Sequence, residues 1–126
     1  MVAYNFQARF ADAVRRGEKR QTIRKPRASG HAKPGDVVQL YTGMRTKDCR
    51  KLADAVCEVS TYCAIREDGI TLGSHPRIDL DDFARADGFA GFEDMKDWFR
   101  DMYGLPFIGH LVRWSKPIAQ KERDDG

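Results

Sequence analysis

With 126 residues, 41% of them hydrophobic and 33% charged, the chain is sized for one domain with a core of its own, and wholesale disorder is excluded. No run approaches the ~18 apolar residues of a membrane span, and the opening MVAYNFQARF lacks the basic and apolar stretches of a secretion signal, so a cytoplasmic protein with no membrane partner is expected. The net charge of +3 is unevenly spread: residues 1–51 hold thirteen Lys and Arg against four Asp and Glu, a balance of +9, whereas residues 52–126 hold −6. The N-terminal half is therefore the candidate surface for phosphates, on nucleic acid or on a small molecule.

In chain order, the first predicted element is an amphipathic helix over residues 6–16. Phe6, Phe10, Ala13 and Val14 share one face, and Gly17 stands where a C-terminal cap belongs. The charged GEKRQTIRKPR follows, then a turn-rich ASGHAKPGD, then an apolar strand from Val37 to Tyr41. Alternation from Ala53 to Ile65 predicts a half-buried strand, with Cys57 and Cys63 as small core side chains. A hairpin at residues 67–69 leads to a short strand, Ile70 to Leu72, and a loop holding Pro76. A brief helix spans residues 80–86. A longer one, Phe92 to Tyr103, aligns Phe92, Met95, Phe99 and Met102 as a core stripe, with Trp98 off that stripe and packed on the sheet. A final strand, Phe107 to Trp114, precedes a polar tail at residues 117–126. Strands with few, irregularly placed helices predict an α+β domain over residues 1–116 with a small mixed or closed sheet.

Three cysteines, Cys49, Cys57 and Cys63, have no paired zinc-ligand spacing, and His31, His75 and His110 fall in separate segments. No metal and no cofactor are expected. The chemistry concentrates instead in residues 17–24, GEKRQTIR. If the helix ends at Gly17 and the chain then extends, Thr22 and Arg24 share one strand face, Ile23 points into the core, and Lys19 lies on the entering loop. An ammonium, a hydroxyl and a guanidinium on one short path suit an anionic ligand or a polarised carbonyl.

The stretch FQARFADAVRRGEKRQTIR, residues 6–24, resembles the opening of ASCH domains, whose glycine-x-lysine-x-x-(glutamate or threonine)-x-arginine signature reads here as Gly17, Lys19, Thr22 and Arg24. PGDVVQLYTG at residues 34–43, DGFAGFEDM at residues 87–95 and the placement of the last strand extend the resemblance over about residues 3–114. It implies a PUA-like β-barrel with flanking short helices, a fold used to recognise RNA or modified nucleosides. Small members carrying the threonine resemble bacterial amidohydrolases that deacylate N4-acetylcytidine with a lysine, a threonine and an acidic residue. Carried over, these fall on Lys19, Thr22 and Asp87. The last is a departure, since those enzymes have glutamate, whose carboxylate reaches farther by about one C–C bond.

Hydrolysing an amide at the exocyclic nitrogen of cytosine needs a nucleophile, a base and donors for the oxyanion. Thr22 is the hydroxyl of the motif. Lys19 acts as base if burial and the Arg20 and Arg24 charges lower its pKa, and as oxyanion donor if it stays charged. Asp87 either protonates the leaving nitrogen or holds Lys19; as a turn or cap residue it would leave the acid to Glu67 or Asp68. For substrate binding, Arg24 and Arg45 are candidate anion partners, and Tyr41 or Tyr62 candidate stacking platforms. Two functions follow: an amidohydrolase of an N4-acylated cytidine or related nucleoside, or a non-catalytic RNA-binding module, with weak ribonuclease activity as a variant.

Overall fold

A computed structural model describes residues 2–73 and 79–118, so the loop at Pro76 and the tail beyond residue 118 lie outside the described residues. The elements in order are β1 (Val2–Phe6), α1 (Ala8–Arg15), β2 (Gln21–Arg24), β3 (Val37–Thr42), β4 (Arg50–Arg66), β5 (Gly69–Leu72), α2 (Leu80–Ala86), α3 (Phe92–Tyr103) and β6 (Phe107–Trp114). The six strands form one mixed sheet in the order β1-β3-β4-β6-β2, with β5 added on β4. The β1–β3 pair is parallel and the others are antiparallel.

The α+β class is as expected. The sheet, however, does not close, because β1 and β2 stand at opposite ends of the hydrogen-bonded path. The seventeen-residue β4 is its spine: it pairs with β3 through Arg50–Val56 and with β6 from Cys57 onward. A register shift between Cys57 and Val59 interrupts the alternation there, as a bulge does when it bends a strand. Arg24 reaches between the unpaired ends, its Nη2 donating to the Asn5 carbonyl at 2.6 Å.

Two expectations are corrected. The first helix begins at Ala8, not Phe6, because residues 2–6 alternate and pair in parallel register with β3, which places Phe6 in the core from a strand. Its buried face is Phe10, Ala11 and Val14 rather than Ala13. In α3, Phe92, Met95 and Phe99 are buried as predicted, but Met102 is 53% exposed. Tyr103, also exposed at 45%, lays its ring against this stripe, 6.0 Å from Phe99 and 4.9 Å from Phe107. Past β6 the chain stays docked through residue 118, where the Ile118 N–H donates to the Asp54 carbonyl at 2.7 Å. No helix among the described residues is long and apolar enough to cross a membrane.

Candidate active site

Both arms of the site are delivered by the same helix-ending device. At the end of α1, Gly17 adopts φ +80°, its N–H donates to Val14 O (3.1 Å), and Glu18 N–H donates to Ala13 O (2.8 Å). At the end of α2, Gly88 adopts φ +99°, its N–H donates to Arg85 O (3.0 Å), and Phe89 N–H donates to Ala84 O (3.0 Å). Each is a Schellman ending, which reverses the chain at a left-handed glycine. The first aims Lys19 inward and the second leaves Asp87 as the C-cap of α2. Gly88 also has to be small: a Cβ there would lie 2.8 Å from the Phe10 ring and 3.3 Å from Lys19 Cδ. Asp87 thus occupies a cap position in its backbone, yet its side chain does not cap.

Instead the two charged groups, 68 residues apart, meet inside the protein. Lys19 is 3% and Asp87 5% exposed. Lys19 Nζ donates to the Asp87 carbonyl and lies 3.4 Å from Asp87 Oδ1, with the Phe10 and Phe6 rings 5.0 and 5.7 Å away. Burial pushes the Lys19 ammonium below its ordinary value; Asp87 opposes this, and Arg24 and Arg9 reinforce it. Burial pushes the Asp87 carboxyl up, against the pull of Lys19, Gln21 and Arg24. Both shifts run in the direction of the uncharged forms, an unprotonated amine and a protonated acid. The two protons of such an amine have acceptors in the Asp87 carbonyl and Oδ1, which leaves its lone pair free.

The orientation of Asp87 is set from the opposite strand. In the β2–β6 register Gln21 faces Arg113, whose Nη2 donates to Gln21 Oε1 at 2.8 Å. An arginine can only donate, so the amide cannot be flipped, and its Nε2 must face Asp87 Oδ1 (3.2 Å) and the Phe83 carbonyl (3.5 Å). Oδ1 accepts from both Gln21 and Lys19, so any proton on Asp87 sits on Oδ2. Gln21, 1% exposed, was not singled out by sequence, although a glutamine in step with core-facing Ile23 is the signal that would have found it.

Thr22 and Arg24 share a face of β2 as expected: Arg24 Nε donates to Thr22 Oγ1 at 2.8 Å. That bond leaves the threonine hydroxyl proton free to be transferred. Lys19, Thr22, Arg24 and Asp87 line one cavity of about 150 Å3, completed by β1, Phe89 and the aromatic side of α3, including Trp98 and Tyr103. The cavity lies where the sheet fails to close. Arg24, Asn5 and Tyr103 are shared with a wider outer groove of about 580 Å3 that also holds Arg45.

Other candidates are placed elsewhere. Tyr41 stands opposite Asn5 in the β1–β3 register, with the Lys51 ammonium 6.0 Å from its ring, and lines neither cavity. Tyr62 is exposed on β4. Glu67 pairs with Arg100 and Asp68 with Arg66, both on the surface away from the cavity. Cys63 is buried, its thiol pushed up to about 12 by burial, and so stays unreactive. Among the described residues no cluster of three or more His, Cys, Asp and Glu is arranged to hold a metal. His31 and His110, which fall in separate segments of the sequence, stack face to face at 5.0 Å. Compared with protein-family models, curated proteins and solved structures, the chain gives no match.

Proposed function

We propose that the chain is an amidohydrolase that removes the acyl group from an N4-acylated cytidine or related modified nucleoside in the cytoplasm, built as an ASCH domain with a PUA-like, barrel-related sheet. The observation that carries this reading is the buried Lys19–Asp87 pair, its pKa values shifted toward the neutral forms, in one cavity with the Thr22 hydroxyl. Opposed environments of this kind mark an acid and a base. An RNA-binding module using the basic half of the chain would leave such a costly buried pair without a purpose.

In the proposed reaction, unprotonated Lys19 Nζ takes the hydroxyl proton of Thr22 as Oγ1 bonds to the acyl carbonyl carbon. The carbonyl electron pair moves onto oxygen, where the Arg24 guanidinium offsets its charge. As the carbonyl re-forms, the C–N bond breaks and Asp87 protonates the departing nitrogen, releasing cytidine and leaving an acyl ester on Thr22. Water then gives a proton to Asp87 while its oxygen bonds to the acyl carbon. Thr22 Oγ1 leaves and recovers its proton from Lys19. One water is consumed, a carboxylic acid is released, and no metal or cofactor takes part.

The test is incubation with N4-acetylcytidine, following the ultraviolet change on conversion to cytidine with and without a chelator. Turnover unaffected by chelator is expected. No turnover at high enzyme concentration rejects the reading for that substrate.

A further inference from the structure

The inner cavity, about 150 Å3, is half the size at which pockets for whole small molecules begin, roughly 300 Å3, so it holds the reacting end of a substrate and not the rest. Whatever carries the reacting amide must extend into the outer groove, which is joined to the cavity at Asn5, Arg24 and Tyr103. That groove is lined by four cations, Arg24, Lys25, Arg27 and Arg45, and by no carboxylate. None of these four is in an ion pair among the described residues. The cations rest on aromatic faces instead: Arg27 lies 5.0 Å from the Tyr4 ring centre and Lys25 lies 4.7 Å from that of Tyr103.

The loop carrying Arg45 supplies a second, independent observation. Among the described residues Arg45 is the one non-glycine with positive φ, +67°, a left-handed conformation that is strained for a side-chain-bearing residue. The surrounding loop holds it there. Thr46 N–H and Oγ1 both donate to the Gly43 carbonyl, and Asn5 Oδ1 accepts from the Met44 N–H at 2.9 Å, fastening the loop to β1 beside the cavity mouth. Local strain kept by surrounding bonds is a feature of binding sites.

We propose that the outer groove is a phosphate site, with Arg27 and Arg45 as its principal partners, so that a phosphorylated nucleoside is preferred over the free one. This rests on the amidohydrolase reading for the identity of the base, and on the groove alone for the phosphate. The shared chemistry is a phosphate on the sugar, either the monoester of a nucleotide or the diester of an RNA strand.

The experiment measures binding of cytidine, cytidine 5′-monophosphate and a short cytidine-containing RNA by calorimetry at low and high salt, in the native protein and in Arg27→Gln and Arg45→Gln. Both arginines are exposed, so the fold should tolerate either change. The nucleotide is expected to bind about tenfold or more tighter than cytidine, with the gap closing in both variants and in salt. Tighter binding of the RNA than of the nucleotide, with a steeper salt dependence, assigns the phosphate to a strand; the reverse assigns it to a mononucleotide. Equal affinities for cytidine and both phosphorylated ligands, unchanged by the substitutions, overturn the proposal. Turnover of N4-acetylcytidine and its 5′-monophosphate is then compared. A phosphate preference in binding with no hydrolysis of either compound rejects the amidohydrolase and keeps the phosphate site, whereas hydrolysis of both with no preference does the opposite.

Discussion

At the scale of single residues, the question raised by a lysine and an aspartate in one motif set is which of them holds the proton. An ionised aspartate beside Lys19 would keep the ammonium charged, and on exposed side chains that effect would win. Here burial is the largest influence on both groups and drives them toward the neutral pair. In the proposed reaction Lys19 is the base, and Lys19→Arg, which keeps the positive charge but cannot lose it, should cut turnover by about 100-fold or more, with near-ultraviolet circular dichroism confirming the fold. Retained activity would make position 19 an oxyanion donor instead. Asp87→Asn should lower turnover by ~100- to 10,000-fold, whereas Asp87→Glu should keep measurable activity. Full activity in Asp87→Asn removes Asp87 from the reaction. Gly88 lets the α2 ending approach the Phe10 ring closely enough to bring the Asp87 carboxyl to Lys19.

At the scale of elements, the strand β2 was legible and its partner was not. Residues 17–24 announce a helix cap, a lysine on the loop entering the strand and a Thr–Arg face, because each depends on neighbours a few positions away, whereas the burial of Lys19 does not show locally. The β2–β6 register depends on residues 92 positions apart, so nothing local in the sequence sets Arg113 against Gln21. The same limit hid β1: Phe6 reads as the first residue of the helix, and residues 2–5 carry no element of their own, until a parallel partner claims them. In the proposed reaction the pairing has a consequence for the pH profile. Gln21 donates to the ionised form of Asp87, so losing that donor should raise the carboxyl pKa further. In Gln21→Met the high-pH limb of kcat/KM, set by loss of the Asp87 proton, should move upward, and Arg113→Met should shift it in the same direction by freeing the amide to turn. A purely structural role for the pair would lower Tm and leave the limb in place, and that result would separate Gln21 and Arg113 from the chemistry.

At the scale of the whole molecule, the α+β class and most strand and helix positions were legible because hydrophobic periodicity is local, whereas whether the sheet closes is decided by which edges meet. The open seam between β1 and β2 is filled by Arg24 and the cavity, so the site occupies the place the backbone ladder leaves vacant. The stacked His31 and His110 rings hold the segment after β2 against β6, another long-range encounter. His31 Nε2–H donates to the Lys25 carbonyl (2.8 Å), so its Nδ1 accepts from the Tyr4 hydroxyl (3.1 Å), and His110 Nε2 lies 2.6 Å from Ser60 Oγ. Burial lowers both imidazole pKa values; Arg27 and Arg24 add to this at His31, and His31 adds to it at His110. A histidine whose folded pKa lies below its unfolded value of ~6.5 binds fewer protons folded than unfolded in that interval, so its stabilisation is intact above ~6.5 and is lost as pH falls toward the folded value. Asp87 has the opposite sign, since its raised pKa makes the folded state take up a proton first on acidification. The comparison that isolates the histidines is therefore native protein against His31→Gln and His110→Gln, with Tm measured from pH 7.5 to 5. The native Tm should fall more than that of either variant across this range, and parallel curves would show that the stacked pair does not couple protonation to the fold.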